Sequence, residues 1–259
     1  MTILHWGDLT WPKIAALAKE EVWPILPIGA TEAHGPHLPL NTDVWIAQGM
    51  AERGARALAT RGKKAVVLPP LAYTVAPFAS GFAGTMTLPA DALVATIEGI
   101  GDSLRAHDIA RVILANAHLD PSHIRALRQA CESLRGKGID ARFPDVTRKP
   151  YALWLGQEFR SGACHAGEYE SSIVLALAPD LVDQQTMRAL ADNPSSLSQA
   201  IGAGISTFEG AGGHDAYFGS PARASAQRGN AFLDRLAAVL VHAVTGESSD
   251  EFLLEPGGH

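Results

Sequence analysis

Short apolar runs bounded by Gly, Pro or Asn alternate along this chain with longer stretches of helical period, and that alternation constrains its fold more than any other feature. Residues 22–28, 65–68, 111–116 and 139–143 have strand length, and the third is rich in β-branched side chains. Helical spacing fills 44–60, the segment after Asp91 to about His107, and 122–135, with further helices expected over 168–178 and 232–244. A strand followed by a helix of that length returns the chain to a parallel neighbour. The expected class is therefore α/β: a single-domain layered fold with a mostly parallel sheet flanked by helices. Pro24 and Pro27 suit an edge or irregular strand for the first run. Segment 192–223 has the composition of loop. Residues 1–245 form the expected domain, and 246–259 a polar tail expected to be mobile.

Composition narrows the partners. With 47% hydrophobic and 19% charged residues, 259 residues can bury a sizeable core in one domain. Acidic residues outnumber basic ones 27 to 21, for a net charge of -6, and no segment collects Lys and Arg, so a nucleic-acid partner is not expected. Cys131 and Cys164 are too few for a disulfide framework, which suits a reducing cytoplasm. No basic leader precedes an apolar stretch, and no apolar run approaches the ~20 residues of a membrane span, so neither export nor membrane contact is expected.

The densest chemical signal follows the first strand, in Gly29-Ala30-Thr31-Glu32-Ala33-His34-Gly35-Pro36-His37-Leu38-Pro39-Leu40-Asn41-Thr42-Asp43. Loops at strand C-termini are where open α/β sheets place their sites. In extended backbone Glu32 and His34 point the same way, offering an oxygen and a nitrogen to one metal ion. Asp43 either bridges a second ion or only caps the following helix. A second strand ends in Asn116-Ala117-His118-Leu119-Asp120, again an imidazole and a carboxylate two apart; alternatively His118 is a core histidine and Asp120 a helix cap. Together these residues form a nitrogen and oxygen donor set suited to Zn²⁺ or Mn²⁺ and unlike a structural thiolate site. The third cluster, Cys164-His165-Ala166-Gly167-Glu168-Tyr169-Glu170, offers His165 as a proton carrier or a structural histidine. Glu168 and Glu170 are there as base, metal ligand, orienting group, or simply favourable charge in a helix's first turn. Cys164 reads as an inert buried thiol.

At these residues the sequence resembles the creatininase family of metal-dependent amidohydrolases. Residues 27–43 match the family hallmark nearly throughout. Gly84-Thr85-Met86-Thr87-Leu88, Asn116-x-His118, His165-Ala166-Gly167-Glu168-x-Glu170-Ser171-Ser172 and Gly219-Ser220-Pro221-x-x-Ala224 resemble later family segments in the right order. The resemblance implies two divalent ions per chain: Glu32 and His118 on one, His34 and Asp120 on the other, and Asp43 bridging both. It also implies His165 in proton transfer and a homo-oligomer, commonly a hexamer; Glu168 stands beside His165 as a second catalytic candidate read from the residues. His37, Asn116, Ser80 and Glu170 stand as supporting or substrate-contacting positions. Creatininase itself has Glu where this chain has Asp120; other members have Asn there, so that another carboxylate must complete their second ion, and Glu170 is the position in this chain that could do so. The tryptophan that encloses substrate before the family's H-A-G is replaced by Ser161-Gly162-Ala163-Cys164.

The expected activity is attack of a metal-bound hydroxide on a cyclic or otherwise non-peptide amide. Formamide hydrolysis, cleavage of a modified peptide, or ligand binding without turnover are the alternatives. A nucleotide-binding α/β protein is disfavoured, because Glu32 stands where a phosphate would lie.

Overall fold

The computed structural model describes residues 2–247. Strands β1 (Val22–Ile28), β2 (Lys64–Val67), β3 (Arg111–Asn116) and β4 (Asp140–Arg142) form one parallel sheet in the order β2-β1-β3-β4. The tail expected beyond 246 lies, from residue 248 on, outside the described residues.

Period-two alternation sorts the strand side chains between two cores. Trp23, Ile25, Ala65, Val67, Ile113 and Ala115 face one side, against α2 (Thr42–Ala59), α6 (Glu168–Leu177) and α9 (Ala226–Thr245). Their sequence neighbours Val22, Leu26, Val66, Val112 and Leu114 face the other, against α3 (Ala90–Ala106) and α4 (Pro121–Gly136). With both faces covered, the strands read as continuous apolar runs.

Three expectations are corrected. β1 is a central strand, not an edge, and every residue in it is buried. Its prolines each remove one donor but leave their acceptors in use: Pro27 accepts the Leu71 N–H at 3.0 Å. The segment 192–223 is also not wholly loop. It holds α8 (Leu197–Gly202), and its Phe208 and Phe218 pack with Phe78, Ala79 and Ala163 into a third apolar cluster over one end of the sheet. The closing helix begins at Ala226, earlier than its apolar period suggests, because the Ser225 hydroxyl accepts the Arg228 N–H at 3.3 Å and caps it.

The shorter helices α1 (Trp11–Leu17), α5 (Gly156–Ser161) and α7 (Gln184–Ala189) complete the set of α-helices among the described residues. No helix there is long and apolar enough to cross a membrane. In the strand order, β1 leads to β2 on one side and β3 to β4 on the other, so a crevice opens between the C-terminal ends of β1 and β3.

Candidate metal centre

Four pieces of backbone converge on that crevice. The loop after β1 brings Glu32 and His34, the first turn of α2 brings Asp43, and the loop after β3 brings His118. The segment entering α6 brings His165 and Glu170 from across the chain. Gly29 permits the first two to meet, since a Cβ there would lie 2.5 Å from the Val44 nitrogen and 2.6 Å from the Asp43 carbonyl carbon. Asp43 therefore does not cap its helix; Asn41 occupies that position and Asp43 is turned inward, 1% exposed.

The hydrogen bonds of the two imidazoles decide what the centre needs. His118 donates from Nε2 to the Val75 carbonyl at 2.9 Å, which leaves the Nδ1 lone pair facing Asp43 Oδ2 at 3.0 Å and Glu32 Oε1 at 3.1 Å. His34 donates from Nδ1 to the Glu32 carbonyl at 3.1 Å, and its Nε2 faces Asp43 Oδ1 at 3.2 Å, Glu170 Oε2 at 3.7 Å and Glu32 Oε1 at 3.8 Å. Lone pairs so opposed repel unless a proton or a cation stands among them. Glu32 Oε2, His34 Nε2 and Asp43 Oδ2 are buried without a hydrogen-bond partner among the described residues.

Proton affinities carry the same message. Burial alone would depress His34, but Asp43, with Glu170 and Glu32 behind it, overrides burial and raises it to about 10. His118 is likewise raised well above an ordinary histidine, Glu32 and Asp43 outweighing its burial. Burial pushes Glu170 up to about 8, helped by Asp43 and Glu32 and opposed by His34. What this pocket offers a cation is imidazole and carboxylate donors only. Glu32, Asp43 and His118 form one compact group, and His34, Asp43 and Glu170 a second, sharing Asp43.

His165 sits against this set with its ring 4.4 Å from that of His34 and 4.2 Å from that of Phe208. Its Nε2–H donates to the Ala33 carbonyl at 3.0 Å, leaving Nδ1 with the lone pair. Burial, reinforced by His34, holds it well below the ordinary histidine value, so it is neutral near pH 7. It can also join Glu32 and His34 as a ligand. The next residue, Ala166, has φ of 51°, a left-handed conformation that L residues seldom adopt.

The remaining candidates are placed as follows. Asp120 uses Oδ1 to cap α4, accepting the N–H of Ser122 at 2.7 Å and of His123 at 3.4 Å, while its Oδ2 is buried and unpartnered at the chamber wall. It belongs to none of the compact ligand groups. Glu168 is turned away as well, paired with Arg228 at 2.5 Å. Asn116 donates to the His118 carbonyl at 2.6 Å and accepts from His123 Nε2 at 2.8 Å, so it shapes the loop that carries His118. His37 shares a 2.8 Å hydrogen bond with Ser171. Burial first, and His34 second, lower it to about 4. Ser80 lies exposed in a turn that does not line the chamber. Cys164 lines the chamber, its thiol pushed far up by burial and kept un-ionised.

Two residues escape sequence reasoning. His123 stacks edge-on against His118 with ring centroids 4.7 Å apart, its i+3 spacing from Asp120 giving no sign of a functional contact. Glu158, on α5, spreads its carboxylate over the N–H groups of Glu168 (2.9 Å), Tyr169 (2.8 Å) and Ser220 (2.7 Å), fixing the start of α6 and with it Glu170.

The family profile described as creatinine amidohydrolase matches residues 7–244. This chain belongs to the creatininase family. Among curated relatives of this creatininase-family chain, the mycofactocin precursor peptide peptidase of Mycobacterium ulcerans (strain Agy99) is 32% identical over 200 residues, spanning 74% of this chain and 68% of the relative. The creatinine amidohydrolase of Pseudomonas putida is 31% identical over 198 residues, spanning 68% and 73%. Among solved structures, a mutant creatininase complexed with creatine superposes with a TM-score of 0.73 at 24% identity, covering 95% of this chain and 98% of that one. A manganese creatininase superposes at 0.70 with 23% identity over the same shares, which establishes the creatininase fold for this chain.

Proposed function

We propose that this chain hydrolyses an amide C–N bond with the help of two divalent ions, one held by Glu32, Asp43 and His118 and the other by His34, Asp43 and Glu170. The observation that carries the reading is the division of one buried carboxylate: Asp43 Oδ1 faces His34 and Oδ2 faces His118. Glu170 is preferred to Asp120 for the second ion because it stands beside His34 and Asp43, whereas the shorter Asp120 side chain is held in its helix cap. Zn²⁺ and Mn²⁺ both suit these donors, and solved creatininases are known in manganese and double-zinc forms.

When bound, such ions polarise a carbonyl and make a water molecule a nucleophile near neutral pH. The chain's own residues supply the rest. Neutral His165, with its Nδ1 lone pair free, accepts a proton from the attacking water and delivers it to the departing nitrogen, which leaves only when protonated. The Ala33 carbonyl fixes the tautomer that makes this transfer possible. Phe78 and Phe208 wall the chamber and limit water around the reacting atoms. Asp120 Oδ2, unpartnered at the wall, receives a substrate N–H.

The bond cleaved is a non-standard amide: a lactam, a formamide or the modified end of a peptide. Incubation of Zn²⁺- or Mn²⁺-loaded protein with lactams, hydantoins, formamides and short modified peptides, following amine release, tests this. Release from at least one class, abolished by a chelator, is expected; no release from any class by fully loaded protein overturns the reading.

A further inference from the structure

The inner chamber holding the ligand groups has a volume of only about 40 Å³, room for the reacting group and little else. Beside it lies a groove of about 700 Å³, within the range of whole-ligand sites. Leu119, Pro121, Cys164, Leu197 and Ile201 line both spaces, so the two adjoin, a narrow chamber at the reacting end and a wide groove outside it. The outer end is charged in one sense only. Arg125, Arg128, Lys149 and Arg160 line it and no carboxylate does, although the chain as a whole carries a net charge of -6. Arg128 is neutralised by an ion pair with Asp145. Arg125 and Lys149 are exposed and make no ion pair among the described residues.

We infer that this groove binds the flank of the substrate distant from the scissile amide, and that this flank carries a carboxylate. The inference rests on the hydrolase reading for the identity of the bond but not for the groove's preference. Arg125, on the outer face of α4, and Lys149, in the segment after β4, provide cations for the carboxylate, while Leu119, Ile124, Leu153 and Ile201 cover the apolar body of the flank. A small neutral lactam fills the inner end alone and leaves these contacts unused. Binding energy from a remote part of the substrate is what an enzyme draws on to orient a poor leaving group. The substrate class is accordingly an extended amide with a terminal or side-chain carboxylate, such as a peptide end, rather than a compact neutral ring.

The test is fluorescence anisotropy on the metal-loaded full chain with dansyl-tetra-alanine bearing a free C-terminal carboxylate, against its C-terminally amidated twin. The carboxylate form is expected to bind about tenfold or more tightly, with a preference that shrinks as salt rises. In the Arg125→Glu, Lys149→Glu double variant that preference should vanish, with metal content and melting temperature as controls of folding. Equal affinity for the two probes, or a preference indifferent to the double charge reversal, overturns the inference. So does inorganic phosphate displacing the probe at concentrations where acetate does not, since the groove would then be built for phosphate. Amine release is followed separately: preferential binding without turnover supports the groove and contradicts only the hydrolase reading.

Discussion

Glu170 places Oε2 3.7 Å from His34 Nε2 while accepting the Ala166 N–H at 2.6 Å, so one carboxylate ties the entry of α6 to the loop after β1. No comparable contact joins Asp120 to His34 among the described residues, although both lie at strand ends. Glu170→Gln, which keeps the hydrogen bond from Ala166, should therefore lower the loaded metal content from two ions per chain toward one. Asp120→Ala should leave metal content unchanged and cost roughly 1 kcal/mol of stability through loss of the α4 cap. Elemental analysis with denaturant melts separates the two; metal loss confined to the Asp120 variant would reverse the assignment.

His165→Gln should retain both ions and near-normal melting while losing about 10²-fold or more in turnover, the usual scale for a positioned acid or base. A neutral ring wedged between His34 and Phe208 is suited to proton transfer. Weakened metal binding in this variant would instead make His165 a ligand, and full turnover would remove it from the chemistry.

Stability of the metal-free protein should depend on pH in a defined sense. His34, raised to about 10 against an ordinary 6.5, holds in the folded chain a proton that the unfolded chain sheds; its contribution is full below pH 6.5 and is lost as pH climbs toward 10. Glu170, raised from 4.5 to about 8, acts in the same direction over its own interval. Burial opposes it, yet His34 and His118 keep Asp43 well below the carboxylate range, so its contribution is lost only at the acid end. Chelated protein should thus melt highest in mildly acidic solution and progressively lower above pH 6.5. Metal loading should erase that alkaline decline, because metal binding strengthens as its ligands lose protons. Thermal melts with and without chelator read this directly, and a chelated protein that gains stability between pH 6.5 and 10 would contradict it.

Gly229→Ala should destabilise the fold and disturb the centre at a distance. A Cβ at Gly229 would lie 1.8 Å from the Ser172 carbonyl oxygen, forcing α9 off α6, the helix that carries Glu170. The cost expected for such overpacking is about 1–3 kcal/mol. Urea melts together with metal affinity check it; an unchanged midpoint would mean the two helices separate freely.

The sheet is legible in the sequence because four short apolar runs punctuated by Gly and Pro alternate with helical spacing. The central position of β1 is not legible, since Pro24 and Pro27 signal lost donors and say nothing of the helices covering both faces. Glu32, His34 and Asp43 stand out because one short loop joins a strand to a helix and carries all three. Glu170 is ambiguous from spacing alone: an acid in a helix's first turn is equally good dipole charge, and only the close approach of α6 to the β1 loop sets it beside His34. Glu168, one turn-face away, has the same signature but pairs with Arg228. Glu158 leaves no motif, because it acts on backbone N–H groups ten and more residues along the chain. Long-range contacts of this kind are set by packing.

The direct measurement is the metal-to-protein ratio of the purified chain after loading with Zn²⁺ or Mn²⁺ and removal of excess, made in parallel on Asp43→Asn. Two ions per chain are expected in the parent, and both sites should weaken together in the variant, because the two oxygens of Asp43 serve different imidazoles. A parent that saturates at one ion or none, or an Asp43→Asn protein that still holds two, would contradict the shared centre.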